Sequence, residues 1–150
     1  MQQPLNFYQI TDRIGTAGQP SIEQLAAIAK QGVASVVNLA MHDSDNALAD
    51  EGSIVASLGM SYFHLPVPFD KPGAGHVRKF FSIMDALESE KVFVHCALNL
   101  RVSAFMHQYL TLKKGLSSEQ ASSPLLSRWF PDMDDAWKSI MNLSLDEIER

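Results

Sequence analysis

At 150 residues, with 46% hydrophobic and 19% charged side chains, the chain has the size and balance of a globular domain that buries a full core without staples. A formal charge of −5, from 12 Lys and Arg against 17 Asp and Glu, argues against general nucleic-acid binding, which needs a basic face; a phosphorylated ligand needs positive charge only locally. The single cysteine excludes an intrachain disulfide framework. His42, His64, His76, His95 and His107 lack ligand-like spacing, so no metal site is expected.

No stretch is long and apolar enough to cross a bilayer, and residues 1–6 carry neither the basic patch nor the apolar run of a signal peptide. The expected setting is the cytoplasm, with no membrane partner. No repeat, low-complexity tract or linker interrupts the chain, so residues 1–150 read as one domain.

Residues 7–10 and 14–17 read as short strands split by the turn residues Asp12 and Arg13. Ser21 and Gln24 form a capping box that opens a helix with apolar positions Ile22, Leu25, Ala26 and Ala29, and Gly32 stops it. Residues 33–39 are a near-continuous apolar run, as in a buried parallel strand. A second helix is expected over 47–58, followed by a strand over 62–65 that ends in Pro66-Val67-Pro68. Val77, Phe80, Phe81, Met84 and Leu87 have the spacing of a third helix.

Val92-Phe93-Val94 is a short apolar strand that leads directly to His95-Cys96, and Val102, Phe105, Met106, Tyr109 and Leu110 mark a fourth helix from Arg101. The remainder, from Ser117, reads as helical with breaks at Pro124 and Pro131; Trp129, Phe130 and Trp137 read as packing of these closing helices. Strands alternating with helices imply an α/β fold, with a mainly parallel sheet of four to five strands covered by helices on both faces. Ligands of such sheets bind where strands end and helices begin.

Residues 92–103 place a cysteine at one of these crossings. Backbone N–H groups of a short loop running into a helix have no partners of their own and converge on an anion. The helix start favours the thiolate form of a cysteine placed there. Arg101, in the first helical turn, can hold a phosphate or sulfate through two parallel hydrogen bonds. The bland alternative is a core cysteine at a strand end with Arg101 a solvated helix residue.

The segment resembles the cysteine-based phosphatase superfamily of dual-specificity and tyrosine phosphatases. More narrowly it looks like a small bacterial family of candidate phosphatases of the DUF442 type. That resemblance rests on Ala17-Gly18-Gln19-Pro20, Asn38-Leu39 and His95-Cys96, and covers roughly residues 5–115. It implies a dual-specificity-phosphatase-like fold and a cysteine that attacks phosphorus, with neither metal nor organic cofactor. Two departures stand out. The chain has four residues between Cys96 and Arg101 where most of the superfamily has five, with Asn99 where glycine is usual and Val102 after the arginine. Asn is the non-glycine residue that best tolerates a left-handed backbone, so the loop stays feasible.

By the same resemblance Asp70, 26 residues before Cys96, matches the mobile acid loop and acts as general acid and then base; the alternative is a plain turn aspartate. The expected catalytic residues are therefore Cys96, Arg101 and Asp70, with His95, Ala97, Leu98, Asn99 and Leu100 forming the anion cradle. His95 is expected to orient the loop through its imidazole. Asn38 is expected either to fix loop carbonyls or to be a strand-end turn residue. Gln19-Pro20 reads as a helix lead-in, and Lys71, His76 and Arg78 as solvated charges that can add positive field at the mouth.

The leading expectation is a hydrolase of phosphate monoesters acting through a phosphocysteine. A rhodanese-like sulfurtransferase using a Cys96 persulfide is favoured by the shorter loop, but leaves Asp70 without a role. A catalytically decayed phosphate-binding module is the third reading, favoured by Asn99 and Val102.

Overall fold

In the computed structural model, which describes residues 2–150, the elements arise where local chemistry demands them. Ser21 caps α1 (Ile22–Lys30) by accepting from the Gln24 amide, while the Gln24 side chain returns to the Ser21 backbone. Five strands then assemble in the order β1-β2-β5-β3-β4. They are β1 (Tyr8–Gln9), β2 (Ile14–Ala17), β3 (Ser35–Asn38), β4 (Ser61–His64) and β5 (Val92–His95). Only β1 is antiparallel; β2, β5, β3 and β4 run parallel.

The register places Ala17 opposite His95, His95 opposite Asn38, and Asn38 opposite His64. All four parallel strands therefore end on one edge of the sheet, and the loops leaving them crowd together there. Central β5 is buried along its whole length, as a strand covered on both faces must be. Val92 and Val94 face a large core with Phe80, Phe105, Tyr109 and Trp137. Phe93 faces a smaller one with Leu25, Ile28 and Val55. Thus α1 and α2 (Glu51–Ser57) cover one face, while α3 (Ala74–Ala86) and α4 (Leu100–Gln108) cover the other.

Several boundaries differ from the sequence reading. The second helix begins at Glu51 rather than at 47, because residues 41–50 form successive turns and Asp50 supplies no side-chain cap. The third begins at Ala74, where the Gly73 amide donates to His76 Nδ1. After α4 the chain continues for one π-helical stretch, Tyr109–Lys113, which periodicity does not signal. The closing segment breaks where proline was expected to break it. Pro124 takes the first helical position of α5 (Pro124–Trp129) behind the Ser123 cap, and Pro131 lies in a 3-10 turn before α6 (Asp135–Met141) and α7 (Leu145–Glu149).

Candidate active site

Between the end of β5 and the start of α4 the chain turns within four residues, Cys96 to Asn99. So sharp a reversal needs a left-handed residue, and Asn99 supplies it with φ of 71°. Its buried side chain fixes that choice: Nδ2 donates to the Asn6 carbonyl at 2.9 Å and to Thr16 Oγ1 at 3.3 Å. Ala97 and Leu100 are half-buried and Leu98 is exposed.

The loop carbonyls are occupied. Ala97 O accepts from the Gln19 amide and from Asn46 Nδ2, each at 3.1 Å. Leu98 O accepts from Asn6 Nδ2 at 3.0 Å, and Cys96 O faces His95 Nδ1 at 3.1 Å. By contrast, among the described residues the amides of Ala97, Leu98 and Asn99 find no protein acceptor. Within a peptide unit the N–H points opposite to the carbonyl, so carbonyls held by the protein leave these amides free for an anion. Gly18 makes the close packing possible: a Cβ there would lie 2.6 Å from Ala97 O.

Arg101 is buried rather than solvated, with 7% exposure. Its Nη1 donates to the Val67 carbonyl at 2.9 Å, its guanidinium lies 5.7 Å from the Phe69 ring centre, and Nε has no partner among the described residues. Val67 and Phe69 belong to the loop after β4 that also carries Asp70. That loop is anchored from below: Phe69 stacks on Trp129 and leans on Trp137, whose Nε1 donates to Phe69 O at 2.7 Å. The tryptophans are packing residues, as expected, but they pack beneath the Asp70 loop. Asp70 and Lys71 are exposed.

Other expected residues lie elsewhere. His76 is spent on the start of α3, and Arg78 Nη1 donates to the Arg150 carbonyl at 2.9 Å. Asn38 does not hold loop carbonyls: Oδ1 accepts from the Ala40 amide and Nδ2 donates to the Tyr62 hydroxyl, both at 2.9 Å. It is the strand-end turn residue of the two readings.

Behind the loop lies a pair that sequence reasoning missed. Glu51, in the first turn of α2, is buried, and its Oε2 lies 2.5 Å from His95 Nε2. Its Oε1 accepts from Gln19 Nε2 at 2.8 Å. Gln19 is thus not merely a helix lead-in; backbone and side chain together join Ala97 to Glu51. Burial alone would raise the Glu51 carboxyl, but the hydrogen bond and charge of His95 outweigh it, aided by Gln19, and hold it below the ordinary carboxylate range. A cavity of about 300 Å³ opens beside the pair, lined in part by Asn38, His42, Leu48, Tyr62 and His64. Burial pushes the Tyr62 hydroxyl up to about 12, against the Asn38 hydrogen bond, and the Glu51 charge adds to the rise. Among the described residues no cluster of three His, Cys, Asp or Glu could hold a metal, and no helix is long and apolar enough to cross a membrane.

Known proteins resemble the chain in sequence and fold. A family model of DSP-PTPase phosphatases fused to NAD+ kinase matches residues 9–138. A DUF442 candidate phosphatase from Shewanella putrefaciens CN-32 is 30% identical, with a TM-score of 0.83 over 92% of this chain and 89% of that one. TpbA of P. aeruginosa, solved in complex with pTyr, gives a TM-score of 0.73 at 18% identity, over 97% of this chain and 88% of that one. The core catalytic domain of the PP-IP phosphatase SIW14 of S. cerevisiae, in complex with citrate, gives 0.76 at 15% identity, over 99% and 91%. These last two likenesses are of fold alone. No curated protein matches the sequence.

Proposed function

Since the chain belongs to the DSP-PTPase family of the cysteine-based phosphatase superfamily, we propose that it hydrolyses phosphate monoesters through a phosphocysteine on Cys96. The observation that carries this reading is the loop itself. Among the described residues three consecutive amides, at Ala97, Leu98 and Asn99, lack acceptors while the neighbouring carbonyls are all occupied, and a buried arginine stands in the first turn of the following helix. Donors held in place before the substrate arrives stabilise developing charge without reorganisation.

In the first step the Cys96 thiolate attacks phosphorus; the S–P bond forms as the ester P–O bond breaks, and Asp70 gives its proton to the leaving oxygen. The loop amides and Arg101 hold the equatorial oxygens. In the second step Asp70 takes a proton from water, whose oxygen attacks phosphorus and releases inorganic phosphate and the thiolate. Asn99 supports an intact cradle over a decayed one, since it adopts the left-handed conformation that glycine would supply. The ligand is a phosphorylated molecule or a phosphate-like anion, and the chemistry calls for no metal or organic cofactor.

The test compares wild type with Cys96→Ser on an aryl phosphate, and both on transfer of sulfur from thiosulfate to cyanide. Cysteine-dependent phosphate release is expected, with no sulfur transfer. Phosphate release that survives Cys96→Ser would sink the mechanism, sulfur transfer would favour the persulfide reading, and anion binding without either activity would leave a binding module.

A further inference from the structure

The two nitrogens of His95 both face oxygen. Nε2 meets the Glu51 carboxylate at 2.5 Å and Nδ1 meets the Cys96 carbonyl at 3.1 Å. A ring nitrogen can face an acceptor only as N–H, and neutral imidazole has one N–H. The proton between Nε2 and Oε2 belongs on the ring, because imidazole is the stronger base of the two and the Gln19 donor to Oε1 favours the carboxylate form. Both contacts are then satisfied together, by a doubly protonated ring beside an ionised carboxylate.

We propose that Glu51 is a positioning residue that keeps His95 in its imidazolium form, and that the cation so held raises the thiolate fraction and the donor strength of the Cys96 loop. This rests on the phosphatase reading above. The path is short. The imidazolium donates to the carbonyl of the 96–97 peptide unit, which polarises that unit and strengthens the Ala97 N–H aimed into the cradle. A positive charge one residue from the sulfur also favours its ionised form. Phe93 stacks on the ring at 5.8 Å and both charged side chains are buried, so the pair is weakly screened. Groups facing the pair from other elements do not cancel it. On β4, His64 adds favourable charge toward Glu51, and the Tyr62 hydroxyl stays neutral. Gln19, from the loop after β2, is uncharged.

Glu51→Gln separates charge from shape. Its amide oxygen can still accept from Gln19 and its NH₂ can donate to a His95 that keeps only Nδ1–H, so every hydrogen bond survives while the cation is lost. In this variant iodoacetate should alkylate Cys96 at neutral pH about tenfold or more slowly, with the rate profile moved toward higher pH. The ¹⁵N shifts of His95 should change from imidazolium in wild type to the Nδ1–H tautomer. In a His95→Asn background the same substitution should add nothing, since the effect runs through the ring. An unchanged alkylation profile in folded Glu51→Gln protein would overturn the proposal alone, as would a neutral His95 in wild type at pH 7. A wild-type Cys96 no faster than a model thiol would overturn the thiolate effect together with the phosphatase reading, whatever the state of His95.

Discussion

Arg101 Nη1 donates to the Val67 carbonyl at 2.9 Å, so the arginine of the cysteine loop is bonded to the backbone of the segment that carries Asp70 three residues later. The Phe69 ring beside the same guanidinium rests on Trp129 and Trp137. Arg101 and the loop that carries Asp70 are therefore coupled through one side chain.

Replacing Arg101 by Lys keeps the charge and removes the fork. A lysine ammonium cannot hold two oxygens in one plane while also reaching the Val67 carbonyl. Binding of phosphate or vanadate should weaken about 10- to 100-fold, the range expected from losing one charge-assisted hydrogen bond. Protection of Cys96 from alkylation by each anion measures it. Tryptophan fluorescence should shift too, because the Phe69 contact loosens.

Asp70→Asn should slow hydrolysis of a phosphate ester with a poor leaving group roughly 10²- to 10⁴-fold. With a good leaving group, which departs without a proton, the loss in formation of the phosphocysteine should shrink. Burst kinetics on a pair of aryl phosphates of different acidity separate that step from its hydrolysis. An equal loss for both esters would return Asp70 to a turn residue.

What could be read from the sequence was local or periodic. The Ser21–Gln24 capping box, the apolar run of β5 and the His95-Cys96 turn each lie within a few residues, and each folds as its own chemistry requires. Glu51 lies 44 residues from its partner His95. An acidic residue at a helix start is ordinarily a solvated partner of the helix dipole, so nothing in the pattern marked it as buried. Gln19 was hidden in the same way, since Gln-Pro before a capped helix reads as a lead-in. The alternation of strands and helices predicted the parallel sheet, but the turns over 41–50 and the π-helical stretch are set by tertiary packing.

Asn99 makes two opposed predictions. Asn99→Ala leaves a Cβ residue at φ of 71°, costing about 1–2 kcal/mol. It also removes the bonds to Asn6 and Thr16, each worth about 1 kcal/mol. Asn99→Gly relieves the strain and loses only the bonds. Urea unfolding should therefore rank wild type above Gly and Gly above Ala.

Gly18→Ala should harm the site more than its size implies. The new Cβ would meet Ala97 O at 2.6 Å and Leu98 Cα at 3.1 Å, and both are backbone atoms that cannot rotate away. The loop must move, at a cost of about 1–3 kcal/mol. A fall in activity larger than the fall in stability is expected, because the displaced carbonyl is the one that aims the Leu98 amide.

The Glu51–His95 pair also predicts how the fold responds to acid. The Glu51 carboxyl lies below its ordinary 4.5 in the folded protein, so as pH falls the unfolded chain takes up this proton first. Its contribution is fully present above about pH 4.5 and is lost as pH drops through the lower folded value. Asp85 is held low as well, where burial is outweighed by hydrogen bonds from Lys113 and Tyr109, so wild-type stability alone does not isolate Glu51. Comparison with Glu51→Gln does, because Asp85 is common to both, and in the variant, whose His95 is left neutral in the fold, the unfolded chain takes up a proton on His95 as pH falls through about 6.5. Denaturant unfolding at a series of pH values should give two curves that separate between about pH 6.5 and 4.5, with the variant losing stability first and wild type only below the ordinary carboxylate value. Curves that stay parallel over that interval would mean that the Glu51 carboxylate does not hold the His95 cation in the fold.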